Sequence, residues 1–449
     1  MSRNALFADL YQLTMLRAYF ELGMAEQAAF SLFVRKLPPR RNFLIACGLA
    51  DLLKEIESLR FDDDQLRYLR SLGDFPDSFL EWLRGFRFTG DVHALPEGTP
   101  FFANEPILEV VAPIAQAQLI ETLVLNQIGL QTILASKAAR VVTAARGRPV
   151  ADFGARRAQG IDAATKGARA FYIGGVAATS NLEAGEAYGI PVSGTMAHSF
   201  IEACASEAEA FDAFARIFPE TTLLVDTYDT LAGVAKVIAL SRLLGLKFKV
   251  RAIRLDSGDL DQLARASRRM LDEAGLTNVQ IVASGGLDED QIDRLTARDA
   301  PIDMFGVGTD MAVSSDAPAL DIAYKLVEYA GVGRMKLSTG KSTLPGRKQI
   351  FRNYRGQEAA YDVIGRHDEN LPGSPLLSQV MLSGRRRDDK ADDLDLMRSY
   401  AKGAIEALPP DHRSLAPPVM PYEIKVSSRL AEDRQSVLGR LRPASKDGE

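Results

Sequence analysis

The chain has 449 residues, 46% apolar and 25% charged with mean hydropathy near zero, so it reads as an ordinary globular protein of two or three domains. Lys plus Arg (54) nearly balance Asp plus Glu (59), and the net charge of -5 disfavours nucleic acid as a partner while leaving small anions, which need only a few cations in one cleft. Two cysteines, Cys47 and Cys204, argue against a disulfide framework or a Cys-rich zinc site, and no apolar run or leader-like start suggests a membrane, so a cytoplasmic location is expected.

In chain order, Ala5 to Leu22 carries apolar residues at helical spacing, with Gly23 placed to end the helix. Tyr11 falls within it and reads by itself as a core aromatic. Ala28 to Val34 reads as a strand, and Asn42 to Ile56 and Asp63 to Leu72 as helices. Between Phe86 and Val111, Pro96, Gly98, Pro100 and Pro106 break the pattern into short β-like pieces of a small sheet module. Ile114 to about Arg146 is rich in Ala, Leu and Gln and reads as one long helix that Gly129 bends.

From Pro149 the pattern becomes regular. Short apolar pieces recur at Val150 to Phe153, Ala170 to Ile173, Ile190 to Ser193, Thr222 to Val225, Val250 to Leu255, Val279 to Ala283 and Ile302 to Phe305, with helical segments between most of them. This alternation predicts parallel strands with crossover helices, closed into a barrel or an incomplete one, with an open doubly wound sheet as the competing architecture. Chemistry in such folds sits where strands end and helices begin. His198, one of four histidines, lies on such a connection, between Ile190 to Ser193 and a helix read over Glu202 to Phe214.

The other strand ends add to it. Ser284-Gly285-Gly286 and Gly306-Val307-Gly308-Thr309-Asp310 follow the last two strands, where glycine turns and helix N-termini recurrently bind phosphate. Asp226 to Asp229 and Asp256 to Asp259 form two acidic segments, in which Asp229 and Asp259 also read as plain helix N-caps. Arg254 stands in an apolar strand, where a guanidinium calls for a carboxylate or phosphate partner. Phe153-Gly154-Ala155-Arg156-Arg157 closes the first strand with an aromatic and two arginines. Together these suit an anionic aromatic substrate and a metal-bound phosphosugar.

The segments LFADLYQLTM, DFGARRAQG, VSGTMAHSF, LVDTYDT, RLDSGDL, ASGGLDE and FGVGTD, in that order, resemble the nicotinate phosphoribosyltransferase family. The run from Arg334 to Lys348 fits as well. The resemblance covers the chain to about Arg352; Arg385 to Asp395 and the tail after Pro443 match nothing assigned. It implies an incomplete α/β barrel of the type II phosphoribosyltransferase kind, residues 135–330, with an N-terminal α+β domain, 1–134, and a small C-terminal domain, 331–449. It also implies transfer of phosphoribosyl from phosphoribosyl pyrophosphate to nicotinate in NAD salvage, with Mg²⁺, ATP as co-substrate, and a homodimer with shared active sites.

Carried over by position, the resemblance makes His198 the phosphohistidine and Asp226 the carboxylate that holds it. Tyr11, from the neighbouring subunit, and Phe153 sandwich the pyridine ring, while Thr195 and Arg254 contact nicotinate. Arg156, Gly308 and Thr309 serve the phosphates alongside Gly285 and Gly286. Asp256 and Asp259 are weaker candidates for ribose hydroxyls or Mg²⁺, and the metal ligands are otherwise unassigned. Asn181 stands where the related nicotinamide enzyme carries an aspartate, which relieves repulsion of a carboxylate.

Three rival readings of the sequence remain. A barrel aldolase or isomerase needs a Schiff-base lysine or an acid/base pair at a strand end, and Lys166 is not evidently placed for that. A P-loop at Gly340-Lys341-Ser342-Thr343 fails because Met335 stands where a glycine is required. A non-catalytic phosphosugar sensor would release no pyrophosphate.

Overall fold

The computed structural model describes residues 5–337, 343–387 and 392–441, so most of the Gly340 to Thr343 motif, part of the Arg334 to Lys348 run, part of the Arg385 to Asp395 region and the tail after Pro443 lie outside the described residues. The chain divides into two compact units, Leu134–Pro318 and a second built from Met1–Ile133 together with Ala319–Glu449.

The two-part unit contains a seven-stranded antiparallel sheet in which both chain segments interleave. Ile322–Tyr329 pairs with Gln27–Val34, and Ser378–Leu382 pairs with Asp91–Ala94, so the regions before 134 and after 318 share one sheet. A four-stranded sheet from the C-terminal segment adds Lys348–Arg355 and Glu358–Arg366. The first helix spans Leu10–Glu21 and ends before Gly23, whose positive φ of 63 suits the turn. Tyr11 is 47% exposed on it, which overturns the core reading. The long helix read over Ile114 to Arg146 is two helices, Ile114–Leu119 and α1 (Glu121–Ala144); the break falls at Ile120 and not at Gly129.

The Leu134–Pro318 unit is an incomplete α/β barrel. Its strands are β1 (Val150–Asp152), β2 (Ala178–Thr179), β3 (Thr222–Leu224), β4 (Ala252–Leu255), β5 (Gln280–Ala283) and β6 (Met304–Val307). They form one parallel sheet in the order β2-β1-β6-β5-β4-β3, and among the described residues no strand joins β2 to β3 to close it. The crossover helices are α2 (Ile161–Ile173), α3 (Leu182–Tyr188), α4 (His198–Ala203), α5 (Glu207–Ile217), α6 (Thr230–Leu244), α7 (Leu260–Glu273), α8 (Glu289–Ala297) and the short α9 (Thr309–Ala312).

Two predicted strands are corrected. Ala170 to Ile173 is the buried last turn of α2: an apolar run of this length has no period of its own, and the Gly174-Gly175 pair ends a helix there before β2 begins. Ile190 to Ser193 makes only an isolated bridge, Val192 to Thr179, because Pro191 has no N–H with which to continue a ladder. The helix read over Glu202 to Phe214 is likewise split. Ser206 accepts from the Glu209 N–H at 3.2 Å and starts α5, which leaves His198 as the first residue of a separate short helix.

Candidate active site

Strand register explains why distant side chains meet. Leu224, Arg254, Val282 and Met304 lie in one row across β3, β4, β5 and β6. Side chains alternate faces along a strand, so the residues two places further, Asp226, Asp256, Ser284 and Gly306, share the face of Arg254. Gly306 pairs with Ala151, which brings Phe153 to that face as well. Two glycines there are sterically required. A Cβ on Gly306 would stand 2.4 Å from Phe153 Cε2, in the space the ring occupies. At Gly285, where φ is +85, a Cβ would lie 1.7 Å from the Asp256 carbonyl oxygen, so the turn after β5 passes directly against the turn after β4.

Arg254 is under-satisfied for a guanidinium that is 14% exposed. Nη1 donates to Thr195 Oγ1 at 3.0 Å, Nη2 stands 3.8 Å from Asp256 Oδ1, and the group lies 6.0 Å from the centroid of the Phe153 ring. Its Nε–H is buried without a hydrogen-bond partner. Burial, reinforced by the charge of Arg156, lowers its pKa against the pull of Asp256 and Asp226. A planar carboxylate would supply both the missing acceptor and the missing charge.

Beside it, Asp226 Oδ2 accepts from the Asp256 backbone N–H at 3.1 Å and from Ser257 Oγ at 2.6 Å, while Oδ1 is buried and unpaired. Asp256 Oδ1 accepts from Ser284 Oγ at 2.5 Å, and Oδ2 stands 3.8 Å from His198 Nε2. The other ring nitrogen, Nδ1, lies 3.1 Å from Thr227 Oγ1. The histidine's neighbours are therefore Asp256 and Thr227, a correction to the expectation that Asp226 holds it. Asp226 is taken up by nearer donors on the turn after β4. Behind this face, buried Asp152 accepts from the Gly154 N–H at 2.8 Å and from Thr179 Oγ1 at 2.7 Å, fixing the turn that carries Phe153, and burial raises its pKa.

The remaining candidates are spread more widely. Gly308 is half-buried and immediately precedes α9, and Thr309 is exposed at its start. Arg156 is exposed in a 3₁₀ turn, Ala155–Arg157. Gly286, with φ +63, has open space where a Cβ would be. Asn181 caps α3, accepting from the Glu183 and Ala184 N–H groups, and Asp259 and Asp229 cap α7 and α6. An aspartate would cap α3 equally well, so asparagine at 181 changes the charge without changing the fold. Lys166 pairs with Asp162 at 2.9 Å along α2. Tyr11 belongs to the other unit, where burial and Glu121 push its phenol up to about 12. Thr227, Ser257 and Ser284 were not singled out from the sequence. Counting the register forward from Arg254 would have found Ser284.

An imidazole, a guanidinium, an aromatic ring, two carboxylates and glycine turns at the strand ends of an incomplete α/β barrel define an enzyme of the type II phosphoribosyltransferase class. A family model described as the nicotinate phosphoribosyltransferase N-terminal domain matches residues 6–129, and one described as the quinolinate phosphoribosyl transferase C-terminal domain matches residues 134–325. The chain is 57% identical to nicotinate phosphoribosyltransferase pncB2 of Mycobacterium tuberculosis, over 98% of this chain and 94% of that one. It is 42% identical to the nicotinate phosphoribosyltransferase of Bacillus subtilis, over 82% and 77%. Human nicotinic acid phosphoribosyltransferase superposes with a TM-score of 0.85 at 28% identity, over 96% of this chain and all of that one. The chain belongs to the nicotinate phosphoribosyltransferase family.

Proposed function

We propose that the chain transfers the phosphoribosyl group of phosphoribosyl pyrophosphate to the ring nitrogen of nicotinate, releasing pyrophosphate and nicotinate mononucleotide for NAD salvage, with ATP hydrolysis coupled through a phosphohistidine at His198. The observation that carries the acid substrate is Arg254: a buried guanidinium with an unpaired Nε–H, beside Thr195 Oγ1 and the Phe153 ring. It suits a bidentate grip on a pyridine carboxylate with the ring against Phe153. Asn181 in place of an aspartate leaves that carboxylate unopposed.

Displacement at the anomeric carbon develops positive charge on the ribose, so the protein acts by holding both reactants in line and stabilising charge. In this reading Asp256, held by Ser284, faces the ribose, and Gly285, Gly286, Gly308 and Thr309 with Arg156 receive the phosphates. Among the described residues no cluster of three or more His, Cys, Asp or Glu could hold a metal alone. Asp226 and Asp256 still suit Mg²⁺ brought in on the diphosphate, since such ions take one or two carboxylates plus substrate oxygens, and Asp226 Oδ1 is buried without a partner. That ion would neutralise the departing pyrophosphate.

His198, with Nδ1 at Thr227 and Nε2 facing Asp256, is 39% exposed at the side chain and open to a phosphoryl donor. Tyr11, exposed on its helix, is assigned to the site of a second copy in a cytoplasmic homodimer. The test is steady-state pyrophosphate release with nicotinate or nicotinamide, plus mass spectrometry after incubation with ATP. Nicotinate turnover and a phosphorylated His198 peptide, lost in His198→Ala, are expected. Equal turnover of nicotinamide would sink the acid assignment, and phosphate retained by the variant would sink the histidine's role.

A further inference from the structure

The Leu134–Pro318 unit buries a second ionic cluster that the reaction as described leaves unused. Lys137, on α1, is fully buried; its Nζ donates to Glu289 Oε2 at 2.5 Å and to Asp316 Oδ1 at 2.9 Å. Arg140 Nε, one turn along, donates to Glu289 Oε1 at 3.0 Å. Side-chain exposures are 2% for Lys137, 1% for Glu289, 8% for Arg140 and 18% for Asp316. Lysine is almost never buried to this degree unless paired, and a buried ion network rarely adds net stability over an apolar core.

Its acceptors occupy telling positions. Glu289 is the first residue of α8, three places after Gly286, and Asp316 lies seven places after Thr309. One ammonium therefore ties the segment behind the β5 glycine turn to the segment behind the β6 turn. The far end of α8 is fastened to the last residue of the same helix by Thr296 Oγ1, which donates to the Ala144 carbonyl at 2.9 Å, and Arg146, in the turn just past α1, pairs with Asp293 at 2.9 Å. α1 is thus a strut to which α8 is clamped at both ends, and the loop after α9 hangs from it at Asp316.

We infer that Lys137 is a positioning residue that sets the spacing of the two glycine turns and so the fit of the phosphoribosyl substrate. This rests on the reading of those turns as its cradle. An error of about 1 Å in such a cradle costs up to about 100-fold, so an effect confined to one substrate is expected when the loop is released.

The test uses the full-length enzyme and three variants. Asp316→Ala removes the acceptor of the β6 loop at the most exposed member of the cluster. Asp316→Asn keeps an acceptor oxygen. Gly308→Val fills the cradle itself. Asp316→Ala is expected to raise KM for phosphoribosyl pyrophosphate about tenfold, with KM for nicotinate changed less than about twofold and the thermal midpoint nearly constant, and Asp316→Asn to recover part of the loss. If Asp316→Ala leaves both constants unchanged or raises them equally, while Gly308→Val abolishes phosphoribosyl pyrophosphate binding, the strut is wrong and the cradle stands. If Gly308→Val also binds normally, the cradle is wrong and the inference goes with it. Lys137→Met serves as a second release of the loop, with Glu289 still held by Arg140, and must shift the same constant in the same direction.

Discussion

Two arginines, one in each unit, show what separates a site from a scaffold. Arg352 is 4% exposed, donates through Nε and Nη2 to both oxygens of Asp362 at 2.7 to 3.2 Å, and reaches the Pro100 carbonyl at 2.9 Å. Tyr422 donates to the same carboxylate at 3.0 Å. Burial works against the Arg352 charge, but Asp362 outweighs it and the pKa is raised. Burial and the Asp362 carboxylate push nearby Glu105 well up. Arg254 is somewhat less buried, at 14% exposure, and has none of this completion: its nearest carboxylate is 3.8 Å away, one donor is unpaired, and its pKa is lowered. Both sit in sheets with an aromatic ring about 6 Å away. What differs is the supply of partners, and the arginine left wanting is the one able to take a ligand.

The largest effect expected from this contrast is on stability. Arg352→Met strands the Asp362 carboxylate in a dry interior and should cost about 3–5 kcal/mol, read as a lower denaturant midpoint with unchanged slope. KM values of the protein that remains folded should stay within about twofold. Ligand constants that moved as much as stability did would break the distinction.

Arg254→Met comes next and should reverse the pattern. A charged hydrogen-bond pair to a substrate carboxylate is worth at least about 2–3 kcal/mol, so kcat/KM for nicotinate should fall about 100-fold. Its thermal midpoint should hold or rise, because the substitution removes a buried, incompletely paired cation. A large fall in midpoint would show Arg254 to be structural after all.

The sequence revealed the rim of the barrel better than its lower layers, for a physical reason. Residues at strand ends carry unusual chemistry in apolar surroundings, and Arg254, Asp256 and Gly285 stand out against Val, Ile and Leu. Ala170 to Ile173 misled because a four-residue apolar run is the same string in a buried helix turn and in a strand. The partners of His198 were hidden because they depend on which donors Asp226 meets first, and Ser257 and the Asp256 N–H become its neighbours only once β3 and β4 are paired. The sharing of one sheet by residues 27–34 and 322–329 leaves no local trace at all, since each strand alternates as well with any other antiparallel partner. The Lys137 cluster is equally silent: a lysine on an Ala-rich helix looks like a solvated one until its acceptors arrive from 152 and 179 residues away.

The smallest effect concerns incomplete pairing that is not part of the proposed site. His93 lies on the strand Asp91–Ala94, opposite Glu109, with Nδ1 buried and unpartnered. Burial first, and then the charge of Arg347, lowers its pKa, and the same two causes lower that of His367. Glu109 and Asp91 pull His93 the other way, as Asp368, Glu109 and Glu328 do for His367, without overcoming the burial. The folded state therefore prefers both imidazoles neutral. Above the unfolded value of about 6.5 neither state binds the proton and stability is full; as pH falls below it, the unfolded chain protonates first and stability declines until the depressed folded values are passed. The thermal midpoint should drop between pH 7 and 5.5, and His93→Gln should flatten that drop. Arg347→Met, which removes the repelling charge on both histidines, should flatten it too. A drop unchanged in both variants would assign the acid sensitivity to other groups and leave these two histidines out of the comparison.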